Sequence, residues 1–284
     1  MRSRIRRAVD AVFGQLWGAG FWLARLVPAH ALRWRSEGGQ RVLVIAPHPD
    51  DEVAGCGATI LLHQAAGDRV TVLYVTDGRA SRALGLDPPA MAERRRQEAE
   101  AGARALGVAE WRWLGLPERE WSEADLAGSL ESILSSLAPH VVYAPSRIDF
   151  HPEHYAVARV LAERRALTAV RAVRIYQIQV PLTRVLVNLR APIAPVRDAA
   201  RRASAAYGSQ ETSLRGPWRL KTYAAAEEFW ELSPQAYGKL HAEPPPRSLL
   251  DTFRGLRRLA VTDPLAFVVG RGERRRLRRL ASEA

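Results

Sequence analysis

Arg41-Val42-Leu43-Val44-Ile45-Ala46-Pro47-His48-Pro49-Asp50-Asp51-Glu52 runs from a β-branched, aliphatic segment into two prolines, an imidazole and three acids. A short apolar run stopped by proline is the mark of a buried strand. The polar cluster then falls at the strand's C-terminal tip, where open α/β sheets place their sites.

Moving outward, the same alternation repeats. The spacing predicts strands over 41–46, 69–75, 110–114, 141–144 and 173–180. Between them it predicts helices over 57–66, 88–106, 123–137 and 152–166, the last with proline in its first turn. Glycine or proline punctuates most of these joins, as at Gly67, Gly107 and Pro139. Strands alternating with helices imply an α/β, Rossmann-like, mainly parallel sheet with helices on both faces. Beyond Pro181 the pattern weakens, and helices are expected over 192–207 and 220–229. Glu243-Pro244-Pro245-Pro246 breaks the chain before an amphipathic stretch over 249–259, read as a C-terminal helical extension. The expected division is a basic N-terminal segment (1–36), a central domain (37–240) and a basic C-terminal extension (241–284).

The 284 residues, 47% apolar and 25% charged, suit one sheet covered on both faces. A single cysteine, Cys56, rules out an internal disulfide, and its place between two glycines reads as a packed residue. The net charge of +12 is almost all arginine, since Lys221 and Lys239 are the only lysines. Arginines gather at both ends, including Arg4, Arg6 and Arg7 and, later, Arg274, Arg275 and Arg276. Solvated tails explain them, and so does attraction to an anionic membrane surface. No nucleic-acid-binding motif is present, so no nucleic acid partner is expected.

The segment 1–36 carries Phe13, Leu16, Trp17, Phe21 and Trp22, interrupted by Asp10, Gln15 and Arg25. That is too short an apolar length for a transmembrane span. It suits an amphipathic helix in a membrane interface, or one packed on the domain or on a second subunit. Pro28-Ala29-His30-Ala31 also has the form of a signal cleavage site. The resulting expectation is a cytoplasmic protein, peripheral on the inner membrane face, with homo-oligomerisation left open.

Two motifs carry the chemistry. His48-Pro49-Asp50-Asp51 forces a turn at the strand end, so that His48 and Asp51 converge on one ion while Asp50 points at a water. His151-Pro152-Glu153-His154 opens a helix, and its histidines, three apart, share a face. One of them can bind metal while the other faces the substrate. A His/Asp/His set with a spare carboxylate is the apparatus of metal-assisted amide or ester hydrolysis.

These residues resemble the PIG-L/LmbE-like N-deacetylases, over about 41–230. Ala46-Pro47-His48-Pro49-Asp50-Asp51-Glu52 with Gly55-Cys56-Gly57 is similar to the family signature. Thr76-Asp77-Gly78, Arg95 with Glu98, Leu114-Gly115-Leu116-Pro117 and Ser209-Gln210 resemble its other motifs. The resemblance implies a Rossmann-like fold, zinc on His48, Asp51 and His154, and Asp50 as general base and then acid. It implies His151 at the oxyanion or the leaving amine, and Arg95 at the sugar of an N-acetylglucosamine-type conjugate. Two positions depart from the family: Glu153 and Glu118 stand where aspartate is usual. Glu153 is expected to orient a histidine, Glu118 to contact substrate, and Asp77 to act behind the ligands or simply to form a turn. Histidine and aspartate ligands suit ferrous iron as well as zinc. A zinc amidase or esterase on another acylated compound, or a non-catalytic lipid- or polyanion-binding protein, are the alternative readings.

Overall fold

The structure is a computed structural model that describes residues 31–149, 151–178, 182, 186–242 and 278–282. Most of the segment 1–36, and the stretch 249–259, lie outside the described residues, so the helices expected there have no structural counterpart to compare.

Eight strands form one sheet: β1 (Leu32–Arg33), β2 (Arg41–Ala46), β3 (Arg69–Thr76), β4 (Glu110–Leu116), β5 (Val141–Ala144), β6 (Ala172–Ile175), β7 (Leu189–Pro192) and β8 (Ala226–Leu232). Their order is β1-β7-β8-β6-β5-β2-β3-β4. All pairs are parallel except β8, which runs antiparallel to both β6 and β7. The central strands read as unbroken apolar runs because both faces are covered; Leu43, Val44 and Ile45 of β2 are fully buried.

The helices are α1 (Asp51–Ala65), α2 (Pro88–Ala105), α3 (Glu123–Leu137), α4 (Pro152–Ala162), α5 (Arg197–Ala205), α6 (Glu211–Ala224) and α7 (Pro234–Ala242). One core joins Leu126, Leu130 and Leu134 of α3, Val157 and Leu161 of α4 and Tyr237 of α7 to one sheet face. The other joins Val53 and Ile60 of α1, Ala99 and Ala103 of α2 and Ala203 of α5 to the opposite face. This is the doubly covered, mainly parallel α/β fold expected.

Four of the expected elements take a clearly different form. Helix α1 starts at Asp51, six residues before the expected 57, because the His-Pro-Asp turn itself launches it. The fifth expected strand stops at Ile175, and 192–207 divides into the end of β7, a 3-10 turn over Ala194–Val196 and α5. The expected helix over 220–229 is the end of α6 followed by β8. Alanine and glutamate favour helix locally, but Ala225 turns left-handed (φ 54°) and ends α6. The slot between β6 and β7 then draws the chain into the sheet.

The sheet also reaches into the expected N-terminal segment. Leu32 and Arg33 pair with β7, and Trp34 is buried. Near the other end, α7 continues to Ala242, and Leu280 and Ala281 pack against the first core. Among the described residues, no helix is long and apolar enough to cross a membrane.

Candidate active site

Strands β2 and β5 are neighbours, so the turn after β2 and the segment after β5 meet at one end of the sheet. His48, Asp50 and Asp51 come from the first, Asp149, His151, Glu153 and His154 from the second. Three atoms converge there: His48 Nδ1, Asp51 Oδ2 and His154 Nε2. Their separations are 3.2 Å between the two nitrogens, 3.3 Å from His48 to Asp51 and 3.1 Å from His154 to Asp51. Ligands about 2.0–2.1 Å from a tetrahedral ion stand roughly 3.3 Å apart, so this triangle has the size of one face, three corners, of a metal's tetrahedral shell. The ring nitrogens of His48, His151 and His154 also lie within 4.8 Å of one another.

Carboxylates grip the far side of both outer histidines. His48 Nε2 meets Glu153 Oε2 at 2.6 Å, and His154 Nδ1 meets Asp149 Oδ2 at 2.6 Å. Such contacts fix the tautomer and aim the free nitrogen. Glu153 is itself held, accepting from Arg119 N and Trp121 Nε1 at 2.8 Å each. The added methylene of glutamate thus lets α4 reach across to His48, rather than act on its neighbour His151. His48, Glu118 and Glu153 form a second metal-capable grouping, but there Glu153 already serves His48.

The local field favours positive charge. Burial opposes a charged His48, yet Asp51 and Glu153 outweigh it and raise its pKa to about 9. Burial likewise opposes a charged His154, but Asp51 and Asp149 hold its pKa well above the ordinary value. Burial would raise Asp51, but His154 and His48 hold it well below the usual carboxylate range. A field that draws protons onto two imidazoles suits a divalent cation between them. The donor set therefore fits a metal, and the residues that would hold it are His48, Asp51 and His154.

Asp50 sits in the turn with φ 126°, a conformation that L-residues rarely adopt. Such strain costs on the order of 1–3 kcal/mol and persists only where neighbours impose it. Here Arg95 imposes it: its Nη2 donates to Pro49 O and, at 3.0 Å, to Asp50 Oδ1. Glu52 Oε2 accepts from Asp50 N at 3.2 Å. Burial raises the Asp50 carboxyl to about 6, against the pull of Arg95. A carboxyl near neutrality can both take and return a proton.

His151 caps α4. Its Nδ1 accepts from Glu153 N at 3.3 Å, which leaves the proton on Nε2. Its ring stands 4.7 Å from that of His48 and 4.9 Å from that of His154, centroid to centroid. Burial, with the neighbouring His48 and His154, depresses its pKa to about 2, so it is a neutral N–H donor.

Asp50, Arg95, Glu118, His151 and His154 line one pocket of about 260 Å³. Arg95 is buried beneath the turn, where it holds Asp50 and lines the pocket, and its Nε and Nη1 have no hydrogen-bond partner among the described residues. Glu118 lines the pocket wall and accepts from Ala80 N at 3.0 Å. Asp77 accepts from Arg79 N and Glu118 N, tying the loop after β3 to the loop after β4. Glu98 grips Ser209 through N and Oγ, so two of the distant motifs meet. Asp149, Trp121 and Arg119 were not singled out from sequence. The one available signal was an acid two residues before His151.

The family model described as GlcNAc-PI de-N-acetylase, PIG-L, matches residues 43–164. Over that stretch the sequence is PIG-L-like. It is similar to a 1D-myo-inositol 2-acetamido-2-deoxy-alpha-D-glucopyranoside deacetylase of Kineococcus radiotolerans, 29% identical over 57% of this chain and 55% of that protein. A probable N-acetyl-alpha-D-glucosaminyl L-malate deacetylase 2 of Bacillus cereus is 31% identical over 43% of this chain and 59% of its own length. The chain thus spans little more than half the length of these curated relatives. Among solved structures, N,N'-diacetylchitobiose deacetylase from Pyrococcus horikoshii shares the fold, with a TM-score of 0.60 at 23% identity over 74% of this chain and 88% of that one.

Proposed function

We propose that this PIG-L-like chain is a metal-dependent hydrolase that removes the acetyl group from an N-acetylglucosamine-type conjugate. The observation that carries the reading is the His48–Asp51–His154 triangle, with Asp50 and His151 facing the same pocket. The names of the PIG-L-like relatives, deacetylases of acetamido-sugars, support the substrate class.

His48, Asp51 and His154 would hold the ion, and zinc suits their nitrogen and oxygen donors. When bound, such an ion supplies Lewis-acid polarisation and lowers the pKa of a water. Asp50 takes the proton from the water that attacks the acetamide carbonyl. His151 Nε2–H donates to the carbonyl oxygen as negative charge grows on it. The C–N bond then breaks, and Asp50 returns its proton to the departing amine. Acetate and the free amino sugar result. Arg95 keeps Asp50 aimed, and Glu153 and Asp149 keep the ligand nitrogens aimed.

The test is acetate release from a panel of N-acetylglucosamine conjugates, using stripped protein with zinc or ferrous iron added back. Release that depends on added metal is expected for at least one conjugate. Release from simple esters but from no acetamido-sugar would replace this reading with that of an esterase.

A further inference from the structure

Between α5 and α6 lies a second cleft of about 780 Å³, against about 260 Å³ for the catalytic pocket. Sites for small organic ligands span roughly 300–1,000 Å³. The catalytic pocket therefore has room for little more than the reacting end of a substrate, while the second cleft has room for a body. The two adjoin, because Leu214 of α6 lines both.

The cleft's chemistry is specific. Arg197 and Arg201, one helical turn apart on α5, share the face that lines it. On α6, Glu211, Arg215 and Trp218 line the other wall. Arg215 is paired with Glu211 at 3.0 Å. The two α5 arginines have no ion-pair partner among the described residues. Ile193 and Leu214 are buried at its floor. Ser204 also lines the cleft; it is 7% exposed, and its Oγ has no hydrogen-bond partner. A buried hydroxyl left unpaired is costly, and a ligand's polar atom would satisfy it.

We propose that this cleft is the subsite for the part of the substrate beyond the acetylated sugar, and that this part is an anionic amphiphile. Arg197 and Arg201 take its phosphate or carboxylate, groups that guanidinium forks match. Ser204 Oγ donates to the same head or its linkage, and the apolar body lies over Leu214 and Trp218. The assignment of the sugar rests on the deacetylase reading, whereas the nature of the ligand rests on the cleft.

Calorimetric titration of the metal-loaded full chain tests the cleft directly. The probes are hexyl phosphate, heptanoate, hexyl glucoside and inorganic phosphate. At least one of the two amphiphilic anions should bind ten-fold or more tighter than both hexyl glucoside and inorganic phosphate, and which one does so names the head group. The Arg197→Ala/Arg201→Ala variant should lose that ten-fold, Arg201→Lys should retain much of it, and Ser204→Ala should weaken it a few-fold. Equal binding of all four probes, or undiminished binding by the double variant, would overturn the proposal. In the kinetic arm, kcat/KM for an anionic alkyl conjugate of N-acetylglucosamine is divided by that for its methyl glycoside. The double variant should lower this ratio ten-fold, through KM. An unchanged ratio overturns the subsite even if the probes bind. If no acetamido-sugar is hydrolysed, the deacetylase reading fails and the subsite assignment with it, while probe binding would still mark the cleft as an anion site.

Discussion

His48 and His154 each turn one ring nitrogen to the centre of the site and rest the other on a carboxylate. Losing such an anchor typically costs 10–100-fold in metal affinity. Glu153→Gln and Asp149→Asn should each therefore weaken zinc binding by about 10–100-fold, read by competition with a chelating indicator. Unchanged affinity in both would mean that these carboxylates do not aim the histidines. At this scale the sequence was most legible for the residues inside the two motifs. The strand tip and the proline turn fix where His48, Asp50 and Asp51 go. The partners of Glu153 were not legible, because the choice between His48 and His151 depends on where α4 lies against the turn after β2. The partners of Arg95 were hidden for the same reason: its spacing on α2 says nothing of the carbonyl and carboxylate it meets beneath the turn.

Helix α1 carries the first motif, and a buried ion pair fastens its middle. Lys221 Nζ donates to Val53 O at 2.7 Å and meets Glu227 Oε1 at 2.5 Å. Glu227 accepts from Ala58 N at 3.0 Å and from Thr59 N at 2.7 Å. Both side chains are almost fully buried. Removing one partner of such a pair strands a buried charge, at about 3–5 kcal/mol. Lys221→Met should lose stability of that order in urea unfolding, and a loss within the scatter of a surface substitution would refute the role given to the pair. This cluster also accounts for the misread element. Ala-Glu-rich 220–229 favours helix by local propensity. A strand forms there because a central sheet position and a lysine one helical turn from the end of α6 accommodate Glu227. Neither influence is local, so neither shows in a window of sequence. By contrast, β2, α3 and β5 form with the bounds read from sequence, since apolar period and stop residues agree within each segment.

Across the whole molecule, a polar network ties the sheet's far end together. His63 Nδ1 meets Asp68 Oδ2 at 2.5 Å, and His63 Nε2 meets Tyr143 Oη at 3.0 Å. Tyr143 Oη already accepts from Trp34 Nε1 and Arg174 Nη1, so its own hydrogen goes to His63. That arrangement requires neutral imidazole. Burial lowers the His63 pKa to about 4, despite the contrary pull of Asp68. Between pH ~6.5 and ~4 the unfolded chain binds a proton at this residue that the native chain refuses. The stability contributed by His63 is therefore full above pH ~6.5 and drains as pH falls, by up to about 1.4 kcal/mol per unit. The stability difference between the wild type and His63→Gln, followed by denaturant titration over that range, should shrink by this amount on acidification. A constant difference would contradict a neutral His63. The same network reaches into the expected N-terminal segment through Trp34. Trp34 belongs to the core, but basic residues on either side give its segment the look of a tail.

The central claim is that Asp50 moves the proton while His48, Asp51 and His154 hold the ion. It is tested most directly by measuring metal content and acetate release together for Asp50→Asn and the wild type. The account predicts about one metal ion per chain in both proteins, with acetate release in the variant reduced by about 10²–10⁴-fold, the range for a lost general acid–base. Acetate release at the wild-type rate from a metal-loaded Asp50→Asn protein would contradict it.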